Sequence, residues 1–404
     1  MLRKLSTIKP IVPFVRQYSV CELPKELRQI QQTCWNFAER ELKPIAAELD
    51  HEERFPSIQI SKLANLGLMR VTVSPEYNGS NLNMLAMSLI VEELSRGCAS
   101  TGVIVSIHNC LYADLLNRLG TADQKDQFFT KHSNDTIGAF ALSESDAGSD
   151  VAALSTTAKQ NDGGDWILNG TKTWVTSAKE AKSAIVFATV DRALKYRGIT
   201  AFLVNFEEAK GLTIGRKEDK LGIRATSTCS LHFDNVRIPK QSVLGEVGGG
   251  FRIAMEQLDR ARIGIASQAL GIAQAALETA TQYAEQRIAF GEPLLRLHSV
   301  QVRIAEMAVR IESARLLIRK AAAEVDQGKR ATKAISMAKW IAGETATFAA
   351  HNCQQILGGM GYVKDMAAER HYRDARITEI YGGVTDVQKL IVAEHVIREL
   401  QHKK

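Results

Sequence analysis

The texture of the chain changes twice along its length, and this double switch constrains the fold more than any single motif. From about Pro24 to Gly120, apolar residues recur at three- and four-residue spacing in LPKELRQIQQTCWNFAERELKPIAAELD, interrupted by Pro44. The spacing repeats in NMLAMSLIVEELSRG and CLYADLLNRLG, which end at Gly97 and Gly120. That period predicts amphipathic helices, and a glycine closing the periodic run is a helix stop. Between roughly Ile137 and Pro239 the pattern shifts to β-branched and aromatic runs, SAIVFATV, GITAFLVNF and SLHFDNVRIP, separated by turn signals. These predict strands, and DWILNGTKTWVT reads as a hairpin turning at Asn169-Gly170. From about Phe251 the helical period returns, and no proline follows Pro293. RIGIASQALGIAQAALETATQYAEQRIAF, SVQVRIAEMAVRIESARLLIRKAAAEV and TKAISMAKWIAGETATFAAHNCQQIL are three long amphipathic segments, and a fourth starts near Thr385. Long helices joined by short glycine-containing loops predict a four-helix bundle. The expected class is therefore an α+β multidomain protein: an N-terminal helical domain (21–135), a middle antiparallel β domain (136–250) and a C-terminal four-helix bundle (251–404).

At 404 residues the chain is too long for one compact core. Its 45% hydrophobic and 24% charged composition is that of a globular protein. The net charge of +6 is mild, and no basic run is interleaved with aromatics, which argues against nucleic-acid binding. No apolar stretch approaches the ~20 residues needed to span a bilayer. The six cysteines are never paired at metal-ligand spacing, which argues against a zinc site and a disulfide framework. There is no G-x-G-x-x-G after a strand, no P-loop, no H-E-x-x-H and no G-x-S-x-G, so the common nucleotide, metalloprotease and hydrolase signatures are missing. The first twenty residues, MLRKLSTIKPIVPFVRQYSV, are basic, hydroxyl-bearing and free of acids. That composition predicts a mitochondrial transit peptide (1–20) and a matrix location, the alternative being a basic tail.

Three segments mix polar groups with glycine near element ends. In FALSESDAGSD a strand runs into a small-residue loop that can present N–H and hydroxyl groups to a polar ligand or form a plain surface turn. NGTKTWVTSA carries Trp174 and Thr176, and a strand tryptophan on its own is more often core than a stacking platform. In the bundle, Arg287 and Phe290-Gly291 fall at a helix end, where a guanidinium and an N-terminal helix dipole can hold a diphosphate.

Taken in order, STGVIVSIHNCLY, KEDKLGIRATSTCSL, LDRARIGIASQALGIAQAALE, QQILGGMGYV and AERHYRDARITEIY make the chain resemble the acyl-CoA dehydrogenase family of flavoenzymes, most closely its mitochondrial short-chain branch. The resemblance runs from about Cys21 to the C-terminus. It implies a homotetramer with FAD at a subunit interface. It also implies that Leu142 and Ser143 contact the flavin pyrimidine edge and that Trp174 and Thr176 stack on and hydrogen-bond the isoalloxazine. Arg287, Phe290, Gln355 and Gly359 would hold the FAD diphosphate and its surroundings, partly from a neighbouring subunit. Val384 and Asp386 would lie on the adenosine side. Ser149, Asp259 and Arg262 would line the channel for the CoA thioester, beside Tyr381, Gly382 and Gly383. The implied chemistry is α,β-dehydrogenation: a glutamate takes the α-proton and the β-hydride goes to the flavin. The thioester oxygen is polarised by a flavin ribityl hydroxyl and by the N–H of that glutamate.

The base is missing from its usual place. The family's Y-E-G-T stretch reads Tyr381-Gly382-Gly383-Val384 here. Some members carry the glutamate in an L-D-x-E-R pattern instead, which here reads Leu258-Asp259-Arg260-Ala261-Arg262. Glycine and alanine occupy the two positions, so the catalytic base stays unassigned. Ser145-Asp146 also replaces a Pro-Gly of the family's S-E-P-G-x-G-S-D loop, and Val384 replaces a hydroxyl residue. The implied function is FAD-dependent dehydrogenation of short straight or short-branched acyl-CoA thioesters in fatty-acid or amino-acid oxidation, with electrons passed to electron-transferring flavoprotein. The alternative is a catalytically impaired paralogue that binds FAD and acyl-CoA as a binding or regulatory subunit.

Overall fold

A computed structural model of the chain describes residues 23–401. The expected transit peptide lies outside the described residues. The N-terminal part is helical, built around Lys25–Phe37, Met84–Gly97 and Ala99–Ile107. Pro44 acts as expected: the helical path passes through a π turn at Ala38–Leu42 and a 3-10 turn at Lys43–Ile45 before resuming. The Met84–Gly97 helix is capped by the Asn83 side chain, which accepts from the Ala86 N–H at 2.9 Å.

The middle part is a seven-stranded sheet: β1 (Ile137–Ala141), β2 (Thr157–Gln160), β3 (Trp166–Thr176), β4 (Ala181–Thr189), β5 (Ile199–Asn205), β6 (Leu212–Ile214) and β7 (Thr228–Ile238). The order is β1-β4-β2-β3-β7-β6, with β5 paired to β4. Most pairings are antiparallel, but β1 and β2 each run parallel to β4, so the sheet is mixed. Asn169-Gly170 is not a hairpin turn: it lies inside the continuous strand β3. The turn falls earlier, between β2 and β3, where the Asn161 side chain accepts from the N–H groups of Gly163 and Asp165 at 3.1 and 3.0 Å.

The C-terminal part is a bundle of four helices: Gly250–Gln286, His298–Asp326, Thr332–Leu357 and Thr385–Gln401, with a shorter helix at Ala367–Arg376. The first and third bundle helices pack together, and both bury small residues, among them Ala266, Ala269 and Ala273 on the first and Ala342, Ala346 and Ala349 on the third. Small side chains let the helix axes approach closely. The first bundle helix also meets the Met84–Gly97 helix at backbone distance, because a Cβ on Gly271 would lie 2.3 Å from the Glu92 carbonyl oxygen.

Candidate active site

A turn between Ile380 and Val384 lies across the first and third bundle helices. Gly382 and Gly383 have φ of +65° and +99°, values that favour glycine. Both glycine carbonyl oxygens of this turn are engaged. Arg262 Nε donates to the Gly382 carbonyl at 2.9 Å. Lys339 Nζ and Gln388 Nε2 donate to the Gly383 carbonyl at 2.7 and 3.2 Å. The Gly382 N–H makes no hydrogen bond of ordinary geometry among the described residues, so it is available as a donor. Arg262 is in turn paired with Asp259 at 2.7 Å, and the other Asp259 oxygen accepts from the Thr332 hydroxyl at 2.6 Å. Five of the expected residues, Asp259, Arg262, Tyr381, Gly382 and Gly383, are thereby brought into one cluster.

Burial sets the electrostatics here. It pushes the Lys339 ammonium down to about 8, assisted by the neighbouring Arg262. It lowers the Arg262 guanidinium, an effect opposed by Asp259. It also raises the Tyr381 phenol, whose hydroxyl donates to Gln268 Oε1. Among the described residues no carboxylate stands free beside Gly382. Glu379 is taken by Thr347 and Arg376, and Asp259 by Arg262 and Thr332. The place a side chain at 382 would enter is closed by Ile265, whose Cδ1 lies 2.2 Å from an ideal Cβ on Gly382. Ala261, one helical turn before Ile265, is buried.

A second group of residues lies on the sheet. Leu142 is buried and Ser143 half-buried, just beyond the end of β1. The Ser143 carbonyl accepts from the Thr173 N–H at 2.9 Å, joining this loop to β3. The register of β3 against β7 slips between Lys172 and Val175, and Trp174 sits in that bulge with φ +60°. A bulky residue in the left-handed region is strained, and bulges re-aim side chains next to binding sites. The Trp174 ring is 65% exposed, so its strain has no packing reward inside this chain. It has the form of a platform for a planar ligand. Thr176 follows, half-buried, on the same strand.

The third group lies at the far end of the bundle. Arg287 caps the C-terminus of the first bundle helix, so no helix N-terminal dipole meets it there. Phe290 is 92% exposed in the small hairpin beyond. Gln355 and Gly359 are exposed at the end of the third bundle helix, bordering a shallow cavity lined by His351, Gln354, Gln355, Gly358 and Tyr362. Twenty-five residues of helix separate Arg262 from Arg287, roughly 38 Å at the usual rise, and this spacing keeps the third group apart from the Gly382 cluster. Ser149 and Asp386 are exposed, and Val384 is half-buried.

Residues 24–134, 139–236 and 248–397 match the N-terminal, middle and C-terminal domains of acyl-CoA dehydrogenase, in that order. The chain belongs to the acyl-CoA dehydrogenase family. It is 55% identical over 382 residues to the mitochondrial short-chain specific acyl-CoA dehydrogenase of Bos taurus, covering 94% of this chain and 92% of that one. Butyryl-CoA dehydrogenase from Megasphaera elsdenii superposes with a TM-score of 0.90 at 37% identity, covering 93% of this chain and 99% of that one. A glutaryl-CoA dehydrogenase from Mycobacterium smegmatis, solved in complex with FADH2, gives 0.87 at 30% identity, covering 93% and 95%. The three-layer order of helices, sheet and bundle is thus the acyl-CoA dehydrogenase fold.

Sequence reasoning missed several residues that shape the site. Lys339, Gln268 and Ile265 sit on helical faces whose period marks them only as interior. Lys172 sits inside a strand, where a lysine is ordinarily read as solvent-facing. No local signal tells that Lys339 and Lys172 point inward, because their partners lie 44 and 28 residues away.

Proposed function

We propose that the protein is a flavin-dependent dehydrogenase of short-chain acyl-CoA thioesters. The observation that carries this reading is the unengaged Gly382 N–H above the Asp259–Arg262 pair, on a scaffold 55% identical to a short-chain dehydrogenase. The residues present fit FAD: the strained, exposed Trp174 offers a ring platform, and Gly291, Gly358 and Gly359 have open space where side chains would stand. Leu142, Ser143, Trp174 and Thr176 would hold the flavin, and Arg287, Phe290, Gln355 and Gly359, with Val384 and Asp386, its diphosphate and adenosine parts. When bound, FAD supplies the hydride acceptor for the β-carbon.

The chain's own part is to bind, orient and polarise. The Gly382 N–H donates to the thioester oxygen, where charge gathers as the α-carbon loses its proton, and such fixed donors stabilise developing oxyanions. Arg262 and Lys339 hold the two glycine carbonyls, so this N–H is aimed before substrate arrives. Asp259, Arg262 and Ser149 line the way in for the CoA arm. Neither 382 nor 261 carries a carboxylate, so α-proton removal is the slow step. The relatives reported above are dehydrogenases by name and lend no support to a role confined to binding FAD and acyl-CoA.

The separation of the Gly382 group from the Arg287 group along the first bundle helix supports a cofactor site shared between copies of the chain, in a homotetramer. The second bundle helix leaves Val302, Val309 and Leu316 exposed at seven-residue spacing, and the fourth leaves Leu390 and Ile397 exposed. Such stripes suit helix–helix contact. Val309→Asp is expected to lower the mass seen by analytical ultracentrifugation, with FAD affinity falling alongside it. Electron-transferring flavoprotein as acceptor and import into the mitochondrial matrix on residues 1–20 complete the reading. The deciding experiment mixes FAD-loaded protein anaerobically with butyryl-CoA and 2-methylbutyryl-CoA and follows flavin absorbance. Bleaching is expected, slowed by the missing base but complete within hours; a spectral shift with no bleaching over hours would overturn the dehydrogenase reading.

A further inference from the structure

The loop after β1 is tied to β3 by an ion pair sealed from solvent. Lys172 is 0% and Glu144 5% exposed. Lys172 Nζ donates to Glu144 Oε1 at 2.7 Å and to the Leu142 carbonyl at 3.0 Å. Glu144 also accepts from the Ser155 N–H and hydroxyl at 2.6 and 2.7 Å and from the Thr156 N–H at 3.0 Å. Next along β3, the Thr173 N–H takes the Ser143 carbonyl, and the strained Trp174 follows. Two consecutive strand residues therefore grip three consecutive loop residues, immediately before the bulge.

Burying an ammonium and a carboxylate together is costly, and apolar residues of similar volume would often hold a fold as well. A pair kept here despite that cost points to a geometric task. Burial alone would raise the Glu144 carboxyl, but Lys172 and the Ser155 and Thr156 donors outweigh it and hold it at about 2. Burial also pushes the Lys172 ammonium down to about 8, so both groups are ionised at neutral pH. The loop has little stiffness of its own. Ser145-Asp146 bring no ring constraint, and among the described residues its backbone is closed locally by the reciprocal bonds between Glu144 and Ala147, 3.1 and 3.2 Å long.

We propose that the Lys172–Glu144 pair is a positioning device that sets the Leu142–Ser143 loop and the Trp174–Thr176 arm against each other before the flavin enters. The proposal rests on the FAD reading above. Lys172 and Glu144 act through the loop and the strand, as positioning residues.

The test uses the full-length protein, stripped of flavin and titrated with FAD, with the reduction potential of the bound flavin measured alongside. Lys172→Met and Glu144→Gln are each expected to weaken FAD binding at least tenfold and to shift the potential. The double variant is expected to be no worse than the weaker single, because the two side chains act as one unit. If Lys172→Met does not fold, Lys172→Arg is measured instead. It keeps the charge but cannot place one nitrogen on both acceptors, and at least threefold weakening is expected. Ser145→Pro, which removes no backbone hydrogen bond seen in the fold, is expected to restore part of the lost affinity by stiffening the loop. A pair that served stability alone would lower the unfolding temperature yet leave FAD affinity within twofold of the parent and the flavin potential unchanged, and that result overturns the proposal. If the parent itself bound no FAD, the reading of the whole site would fall first.

Discussion

At Gly382 two effects of opposite sign meet in one residue. A carboxylate there would supply a general base, typically worth about 10²–10⁴ in rate. Any side chain there must also accept φ of +65° and displace Ile265. The left-handed backbone costs a non-glycine residue about 1–2 kcal/mol, while Ile265 meets the new atom with the end of a flexible chain and can yield by a rotamer change. The rate term is the larger. Gly382→Glu is therefore expected to raise kcat with butyryl-CoA by about 10²-fold or more and to lower unfolding stability by about 1–2 kcal/mol. Stopped-flow flavin reduction and urea melts measure the two effects separately. A variant that loses the stability and gains no rate would show that the carboxylate is not what limits turnover.

Among the secondary-structure elements, the Met84–Gly97 helix buries Met87, Ile90, Val91 and Leu94 in the core and carries a charged clamp at its C-terminal end. Arg96 is buried between Glu39 at 2.6 Å, Glu278 at 3.0 Å and Glu93 at 3.2 Å, which joins this helix to Ala38–Leu42 and to the first bundle helix. Removing the arginine would take away the cation shared by Glu39, Glu93 and Glu278 and leave their like charges facing each other around a buried carboxylate, and breaking such a buried pair costs about 3–5 kcal/mol. Arg96→Ala is expected to lower the unfolding free energy by that amount, read from urea melts, with little gain from added salt, since Arg96 and Glu93 are themselves shielded from solvent. The helices themselves were legible because a 3.6-residue period survives in a single sequence, including the start of the last one at Thr385. The sheet was less so. Asn169-Gly170 carries the signature of a hairpin turn, yet Gly170 is there for close packing: a Cβ would lie 2.7 Å from Thr156 Cα. The same dipeptide serves a turn or a crowded strand, and only the neighbouring strand decides. The Gly382 cluster was readable because its members fall in recognisable segments. Lys172 and Glu144 were not, because a buried ion pair leaves no periodicity.

Over the whole molecule, the three parts of the chain converge on one corner. Asp50 and Glu53 come from the N-terminal helical part, Leu221, Ile223 and Arg224 from the loop between β6 and β7, and Arg373 and Asp374 from the shorter helix beside the bundle. Arg373 pairs with Asp50 at 2.6 Å and donates to the Leu221 carbonyl at 3.1 Å, and Arg224 pairs with Glu53 at 2.7 Å. Asp374, only 4% exposed, accepts the Ile223 N–H at 2.5 Å. Burial raises the Asp374 carboxyl to about 6, against the partial opposition of the Ile223 N–H and Arg370. The folded value lies above the unfolded one, so the native state holds this proton more tightly. The resulting stabilisation is complete below about pH 4 and is lost as pH rises through 6. A shift of about two units corresponds to roughly 3 kcal/mol at most. Asp374→Asn keeps an oxygen for the Ile223 N–H and cannot ionise. It is expected to match the parent at pH 4 and to exceed it by about 1–3 kcal/mol at pH 7.5, measured as urea midpoints at the two pH values. Equal midpoints at both would mean that the carboxylate is solvated at this junction, and that the three parts are joined there by Arg373 and Arg224 alone.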